Sequence, residues 1–256
     1  IRNLRVRKVE SATGNINTVA GTGTGLFKGD GGAASAASLR VARGVAADSN
    51  GNIYIADSKN HRVRKVDGTT GVISTIAGTG VGGFSGDGGP ASAAQVRFPL
   101  DVSLDAAGNI YIADSNRIRR LGANGIINTI AGTGAAGFSG DGGPALSATM
   151  EGVTRVAADS AGNIYLCDRG NDRIRKIDTN GIINTIAGTG VNGPLGDGGP
   201  AASASICEPE AIALDSSGVL YICDTYNYRI RKVVNGTIST VVGNGMKGFS
   251  GDGGPA

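Results

Sequence analysis

The chain contains no tryptophan, a single histidine and three cysteines in 256 residues, and aromatic side chains amount to 4%. Each scarcity closes a route. One histidine, His61, cannot build a metal centre that needs several imidazoles, and its place in a turn lends a Ser–His–Asp relay no support. Cys167, Cys207 and Cys223 allow at most one internal bridge. Cys167 and Cys223 sit at one repeat position, too far apart to join, so Cys207 and Cys223 are the pair able to approach. Few aromatics leave few platforms for stacked bases. The formal charge of +3 is spread rather than concentrated, which argues against a nucleic-acid partner. No apolar run reaches the roughly 18 residues a membrane-spanning helix needs, and the opening IRNLRVRKV does not read as a signal peptide. Proline is scarce at 7 residues.

What is abundant is glycine, at 45 residues, without a collagen-like period. Hydrophobic residues make up 40% and charged residues 18%, a balance that folds. The stretch GFSGDGGPA occupies 83–91 and returns at 137–145 and 248–256, with looser copies from Leu26 and Gly193. A second landmark, RVRK or a close variant, begins at Arg5, Arg62, Arg117, Arg173 and Arg229, in steps of 57, 55, 56 and 56 residues. The aspartate of the glycine stretch falls at Asp30, Asp87, Asp141, Asp197 and Asp252, in steps of 57, 54, 56 and 55. Two independent landmarks thus keep one period.

Within a unit the pattern is strand-like. GVAADS from Gly44 is an apolar run, IYIAD from Ile53 alternates and is rich in β-branched and aromatic residues, RVRKV from Arg62 alternates polar with apolar, and VISTIAGT from Val72 is a fourth run. Tight turn signals separate them. Four short antiparallel strands per unit at this spacing predict an all-β propeller. The glycine linker, Gly78 to Pro99 in its first full copy, crosses from the outer edge of one blade to the start of the next. Pro90 is expected to open a helical turn through the following alanines, and Phe84, Phe138 and Phe249 to plug the blade edge, with Pro194 and Leu195 replacing the aromatic in one copy. A half blade covers 1–43 and full blades 44–99, 100–153, 154–210 and 211–256, about four and a half blades. A completed ring would have five or six, so the chain is expected to be part of a longer protein.

GVAADSNGNIYIADSKNHRVRKVD closely resembles the NHL repeat, as do VSLDAAGNIYIADSNRIRRL, VAADSAGNIYLCDRGNDRIRKI and IALDSSGVLYICDTYNYRIRKV. The AGTG and GDGGPA linkers are similar to those of large bacterial secreted or surface NHL proteins and of teneurin-like surface proteins. The resemblance covers essentially the whole chain. It implies a propeller and an extracellular or cell-surface setting. It leaves function open among protein-binding, RNA-binding and a few lyase-type members.

Three sets of residues remain. Asp57, Asp114, Asp168 and Asp224 end the second strands and Arg62, Arg117, Arg173 and Arg229 begin the third, so each hairpin is expected to close with an Asp–Arg bond. Its repetition marks it as structural. The linker aspartates Asp30, Asp87, Asp141, Asp197 and Asp252 admit a calcium reading, weakened by having one carboxylate per loop; the competing expectation is bonding to linker amides. GTGVGGFSG lacks the Lys-Ser/Thr of a phosphate loop. Glu151, Arg155, Glu208 and Glu210 break the repeat near blade starts and are the binding candidates. With no cofactor otherwise indicated, the reading is a non-catalytic module for a protein or glycan partner. A channel-sited lyase or lactonase is the alternative, and self-association through the incomplete blade a third possibility.

Overall fold

The computed structural model describes residues 3–254 and Ala256. The fold is all-β and of the propeller type. Four antiparallel blades are present: Ala42–Ala47, Ile53–Asp57, Arg62–Val66 and Ile73–Ala77; Pro99–Leu104, Ile110–Asp114, Arg117–Leu121 and Ile126–Ala131; Val153–Ala158, Ile164–Asp168, Arg173–Ile177 and Ile182–Ala187; Pro209–Leu214, Leu220–Asp224, Arg229–Val234 and Thr237–Val242. A two-stranded half, Val6–Val9 with Ile16–Ala20, precedes them. The remaining regular structure among the described residues is two two-residue linker strands, Gly89–Pro90 and Gly143–Pro144, and 3-10 turns of three residues, with no α-helix. The chain divides into two compact units, Ile1–Thr129 and Ile130–Ala256.

The hairpin between first and second strands is fixed by one carboxylate. Asp48 accepts from the Asn50 and Asn52 amides (3.0 and 2.9 Å), from Asn52 Nδ2 (2.7 Å) and from the Tyr54 hydroxyl (3.0 Å). This is why the sequence repeats D-x-x-G-N-I-Y: glycine supplies the positive φ, asparagine the side-chain donor and tyrosine the outer clasp. Asp105 and Asp159 repeat the arrangement. In the fourth blade Val219 stands where the asparagine would be, and Asp215 holds the Ser217 hydroxyl instead. Burial, followed by the aspartate bond, pushes the phenols of Tyr54 and Tyr111 up to about 12, and burial with the nearby Asp159 charge does the same for Tyr165.

The linkers bind the blades together. Gly89–Pro90 pairs with Ile126 and Ile127, adding a short fifth strand outside the fourth strand of the following blade, and Gly143–Pro144 does the same at Ile182 and Ile183. In the second and third blades the linker therefore covers the fourth strand, whereas in the first and fourth that strand is the edge of its sheet. Pro90 sits just before the turn Ala91–Ala93 rather than inside it, and the turn is 3-10. Ala91 and Ala94 are buried, and their carbonyls receive the Gly78 and Thr79 amides (both 3.0 Å). The core accordingly lies between successive blades. One cluster joins Ala56 and Val63 of the first blade to linker Val96 and to Ile112 and Ile127 of the second. Another joins Cys167 and Ile174 to linker Ile206 and to Ile222 and Ile238. A third joins Val6 and Ala20 to linker Leu39 and to Ile55 and Ile73.

The GDGG motif has a steric basis. Gly29, Gly86, Gly140 and Gly196 hold φ near +98, +88, +91 and +103, and a Cβ on each would lie 2.7 to 2.8 Å from the Cα of Ala37, Ala94, Ala148 or Ala204. Here both the backbone conformation and the contact demand glycine.

Candidate functional site

Strand pairing sets Asp57 directly opposite Arg62, and likewise Asp114–Arg117, Asp168–Arg173 and Asp224–Arg229. The side chains do not pair that way. The charge partner of each aspartate is the second arginine of the motif: Arg64 at 3.7 Å, Arg119 at 3.3 Å, Arg175 at 3.5 Å and Arg231 at 3.5 Å. The expected Asp–Arg closure is corrected accordingly. Alternation puts both arginines on one face, but only the second lies under the linker, where the carboxylate points. The first arginine turns outward. Arg62 donates to the Asn60 and Thr79 carbonyls and lies 3.6 Å over the Phe27 ring. Arg117 and Arg173 stack on Phe84 and Phe138 at 3.7 Å. The phenylalanines are thus half-exposed covers for guanidinium groups and not edge plugs. Pro194 takes that place in the fourth blade, followed by the 71% exposed Leu195, and Phe249 is 86% exposed.

The second arginines are fully buried. Arg119 shows the wiring: Nη1 donates to Gln95 O (3.2 Å) and Asp114 Oδ2 (3.3 Å), and Nη2 to Ser85 O (3.1 Å) and Asp87 Oδ1 (2.7 Å). Asp30, Asp141 and Asp197 meet Arg64, Arg175 and Arg231 at 2.6, 2.8 and 2.7 Å. Asp30, Asp87, Asp141 and Asp197 thus take a guanidinium partner where the sequence suggested linker amides. The bonds that Asp87 and Asp197 add come from Thr129 and Thr240 on the blade. No group of three or more His, Cys, Asp or Glu side chains suited to a metal occurs among the described residues. Asp252 is exposed.

Burial raises the pKa of the inner aspartates against the pull of their donors. Asp114 and Asp168 are pushed up to about 6, and Asp57 and Asp224 move in the same direction. Asp197 is also pushed up by its burial, but bonds from Thr240 and Arg231 outweigh this and hold it below the ordinary range.

Glu151 and Glu208 lie at the corner between second and third strands, and Arg155 and Glu210 on the first strands that follow them. At the corner each inner aspartate receives one backbone amide from the preceding linker: Arg40, Arg97, Glu151 and Cys207 donate to Asp57, Asp114, Asp168 and Asp224 at 2.7, 2.6, 2.7 and 2.8 Å. In the second unit, Arg169 of the 3-10 turn Arg169–Asn171 pairs with Glu208 and lies 3.6 Å from Glu210. The Glu208 amide donates to Asp172 Oδ1 at 2.6 Å. Glu151 packs beside Gly170 of the same turn and accepts its amide at 2.8 Å. Glu208 and Glu210 are therefore brought together as a pair around Arg169, which sequence reasoning missed. Glu151 flanks the turn, and Arg155 sits on strand Val153–Ala158. Asn60, Asn171 and Asn227, also missed, each donate to the inner aspartate of their hairpin at 2.8 Å. Among the described residues Cys207 and Cys223 are not bridged to each other.

Residues 39–66 and 207–233 match the NHL repeat, and residues 81–137 match the teneurin NHL domain. Human Teneurin-1 is 30% identical over 251 residues, covering 86% of this chain. The chain spans 9% of that relative's length. Among solved structures, a nidogen/laminin complex aligns over 94% of this chain and 76% of its own with a TM-score of 0.63 and 15% identity. Virginiamycin B lyase from Staphylococcus aureus aligns over 93% and 62% with a TM-score of 0.54 and 14% identity. At these identities the structural likeness concerns the fold.

Proposed function

The chain is an NHL-repeat propeller protein, and from that premise we propose that it acts as a non-catalytic binding scaffold that engages a protein or glycan outside the cell through its blade corners. The observation that carries this reading is where the repeat breaks. The inner aspartate, the buried arginine and the linker aspartate recur in all four blades and are engaged with one another. The corner positions change from blade to blade: Arg40, Arg97, Glu151 and Cys207 occupy one of them, and His61, Asp172 and Tyr228 another. Residues free to vary on a fixed frame are where recognition is built. The test mounts the purified chain on beads and measures binding to cell surfaces and matrix. Saturable binding, lost on charge reversal at a corner and kept under chelation, supports the scaffold. Turnover of a lactone or cyclic depsipeptide that disappears with Glu208→Gln refutes it.

A second reading, assembly with another copy, is favoured by one feature. Strand Val6–Val9 pairs with Ile16–Ala20 alone among the described residues. A groove of about 490 Å³ lined by Val6, Val19, Val45, Ala46, Ile53 and Val66 lies beside it. A strand contributed by another copy would pair along Val6–Val9. Concentration-dependent sedimentation tests this reading.

A further inference from the structure

The corner of the first blade concentrates positive charge around the chain's single histidine. Arg40, Lys59 and Arg97 are exposed there, and the ring of His61 is half-buried among them. They come from three segments: the linker entering the blade, the 3-10 turn Ser58–Asn60, and the linker leaving it. The arrangement is held by hydrogen bonds from two backbone amides. The Lys59 amide donates to Arg40 O at 3.0 Å, and the Phe98 amide donates to His61 Nδ1 at 3.1 Å. The Phe98 ring lies 4.4 Å from the imidazole and is 42% exposed. On the other side Gly82 packs so closely that a Cβ would come 2.7 Å from His61 Cε1.

None of Arg40, Lys59 and Arg97 forms an ion pair among the described residues. The acids beneath them, Asp57 and Asp114, are buried and turned toward Arg64 and Arg119. Arg62, the remaining cation at His61, is turned to carbonyls and the Phe27 ring. The fold does not require this charge. In the second unit the equivalent places hold Glu151 and Cys207 for the arginines, Gly170 and Tyr226 for Lys59, and Asp172 and Tyr228 for His61.

We propose that this corner of the first unit binds an acidic polypeptide segment, its carboxylates taken by Arg40, Lys59 and Arg97 and an apolar side chain laid against Phe98. The proposal rests on the scaffold reading and names the partner class of one corner. Guanidinium forks match carboxylates in geometry. An exposed aromatic ring rimmed by arginine is the composition of protein-interface anchors. Nucleic acids and sulfated glycans are long polyanions held by extended rows of cations, whereas this charge is confined to one corner. The repulsion among the cations is already felt by His61, which burial and then Arg40, Arg62 and Arg97 hold below its ordinary pKa. An incoming carboxylate relieves that repulsion.

The experiment titrates the whole chain against a fluorescein-labelled peptide of alternating Glu and Leu at low salt, read by anisotropy, and follows the His61 Cε1–H resonance by NMR. Arg40→Glu with Arg97→Glu is expected to weaken binding about tenfold or more, while Arg120→Glu with Lys247→Glu, an equal charge change elsewhere, leaves it within about twofold. Arg40→Gln with Arg97→Gln, the milder variant, is expected to fall between. The His61 resonance is expected to move as peptide binds. Absence of peptide binding, an unmoved His61 signal, or equal loss in the control pair overturns the proposal. So does heparin or poly-uridine binding at this corner more tightly than the peptide. Each of those results overturns the acidic-segment assignment alone, because the scaffold reading falls on turnover, a separate measurement.

Discussion

Replacing Arg119 by methionine removes the charge at the centre of the second blade while keeping much of the side-chain volume. Four bonds vanish, to Gln95 O, Asp114 Oδ2, Ser85 O and Asp87 Oδ1. The two carboxylates differ in what they lose. Asp87 is 38% exposed and turns to water, so its share is about 1 kcal/mol or less. Asp114 is 2% exposed and remains as a buried anion, held by the Arg97 amide at 2.6 Å. Breaking a buried pair by removing one partner costs about 3–5 kcal/mol. At about 2–4 °C per kcal/mol for a chain of this size, the melting temperature falls by about 6–20 °C. Asp114→Asn on top of Arg119→Met removes the orphaned charge and should recover about 2 kcal/mol, a coupling read from a double-mutant cycle in urea. Arg119→Lys should rescue only partly, since one ammonium cannot reach both linker carbonyls and both acids. A loss below about 1 kcal/mol for Arg119→Met, or no coupling to Asp114, would refute the buried-hub account.

The raised acids make stability depend on pH. A carboxylate whose folded pKa is about 6 against an ordinary 3.8 contributes stability that is complete below about 4 and is lost as pH rises through 6. Unfolding free energy should therefore fall between pH 4 and 6 from Asp114 and Asp168, and Asp114→Asn should flatten that segment in urea titrations at stepped pH. Removing cations beside His61 should raise its pKa: in Arg40→Gln with Arg97→Gln the NMR titration midpoint moves upward, and an unchanged midpoint contradicts the assigned repulsion. Gly86→Ala meets Ala94 Cβ at 2.6 Å at φ +88 and should cost about 2–4 kcal/mol, whereas Gly88→Ala, at φ +78 with nothing within 4 Å, should cost about 1–2; calorimetry separates them. His61→Asp should keep stability within about 1 kcal/mol, because Asp172 accepts the matching amide at 2.6 Å in the third blade.

The blade was legible because its determinants are local. Alternation in IYIAD and RVRKV, the D-x-x-G-N turn and the constant period lie within short windows, and each produced the element expected of it. The charge network was legible only in part. Its members are near in space and far in sequence: the buried arginine follows its linker aspartate by 34, 32, 34 and 34 residues. Sequence adjacency favoured Asp57 with Arg62, which is the correct backbone register, but which of two arginines on one face is covered depends on where the linker passes. A usable signal existed, since the second arginine recurs in every full blade 32 or 34 residues after the linker aspartate. Arg169 carried no such signal, because it does not recur; only its neighbours Glu208 and Glu210 announced the corner by breaking the pattern.

The separation of fixed from variable charge has a common cause. A guanidinium taken out of water needs nearly every donor answered, and Arg64, Arg119, Arg175 and Arg231 reach this with two carboxylates and two linker carbonyls each. Any change at one member leaves another buried and unanswered, so every blade carries the same set. At the corner the contacts that hold the chain are backbone amides and carbonyls: Arg40 and Glu151 present the same N–H to Asp57 and Asp168, and the same C=O to Lys59 and Gly170. The side chains of Arg40 and Glu151 take no part in these bonds. The linker that locks each blade to its predecessor thus also delivers, at its end, a short segment whose backbone is fixed and whose side chains are not. That is why the first blade can gather arginine and lysine where the third gathers glutamate and aspartate on an unaltered frame.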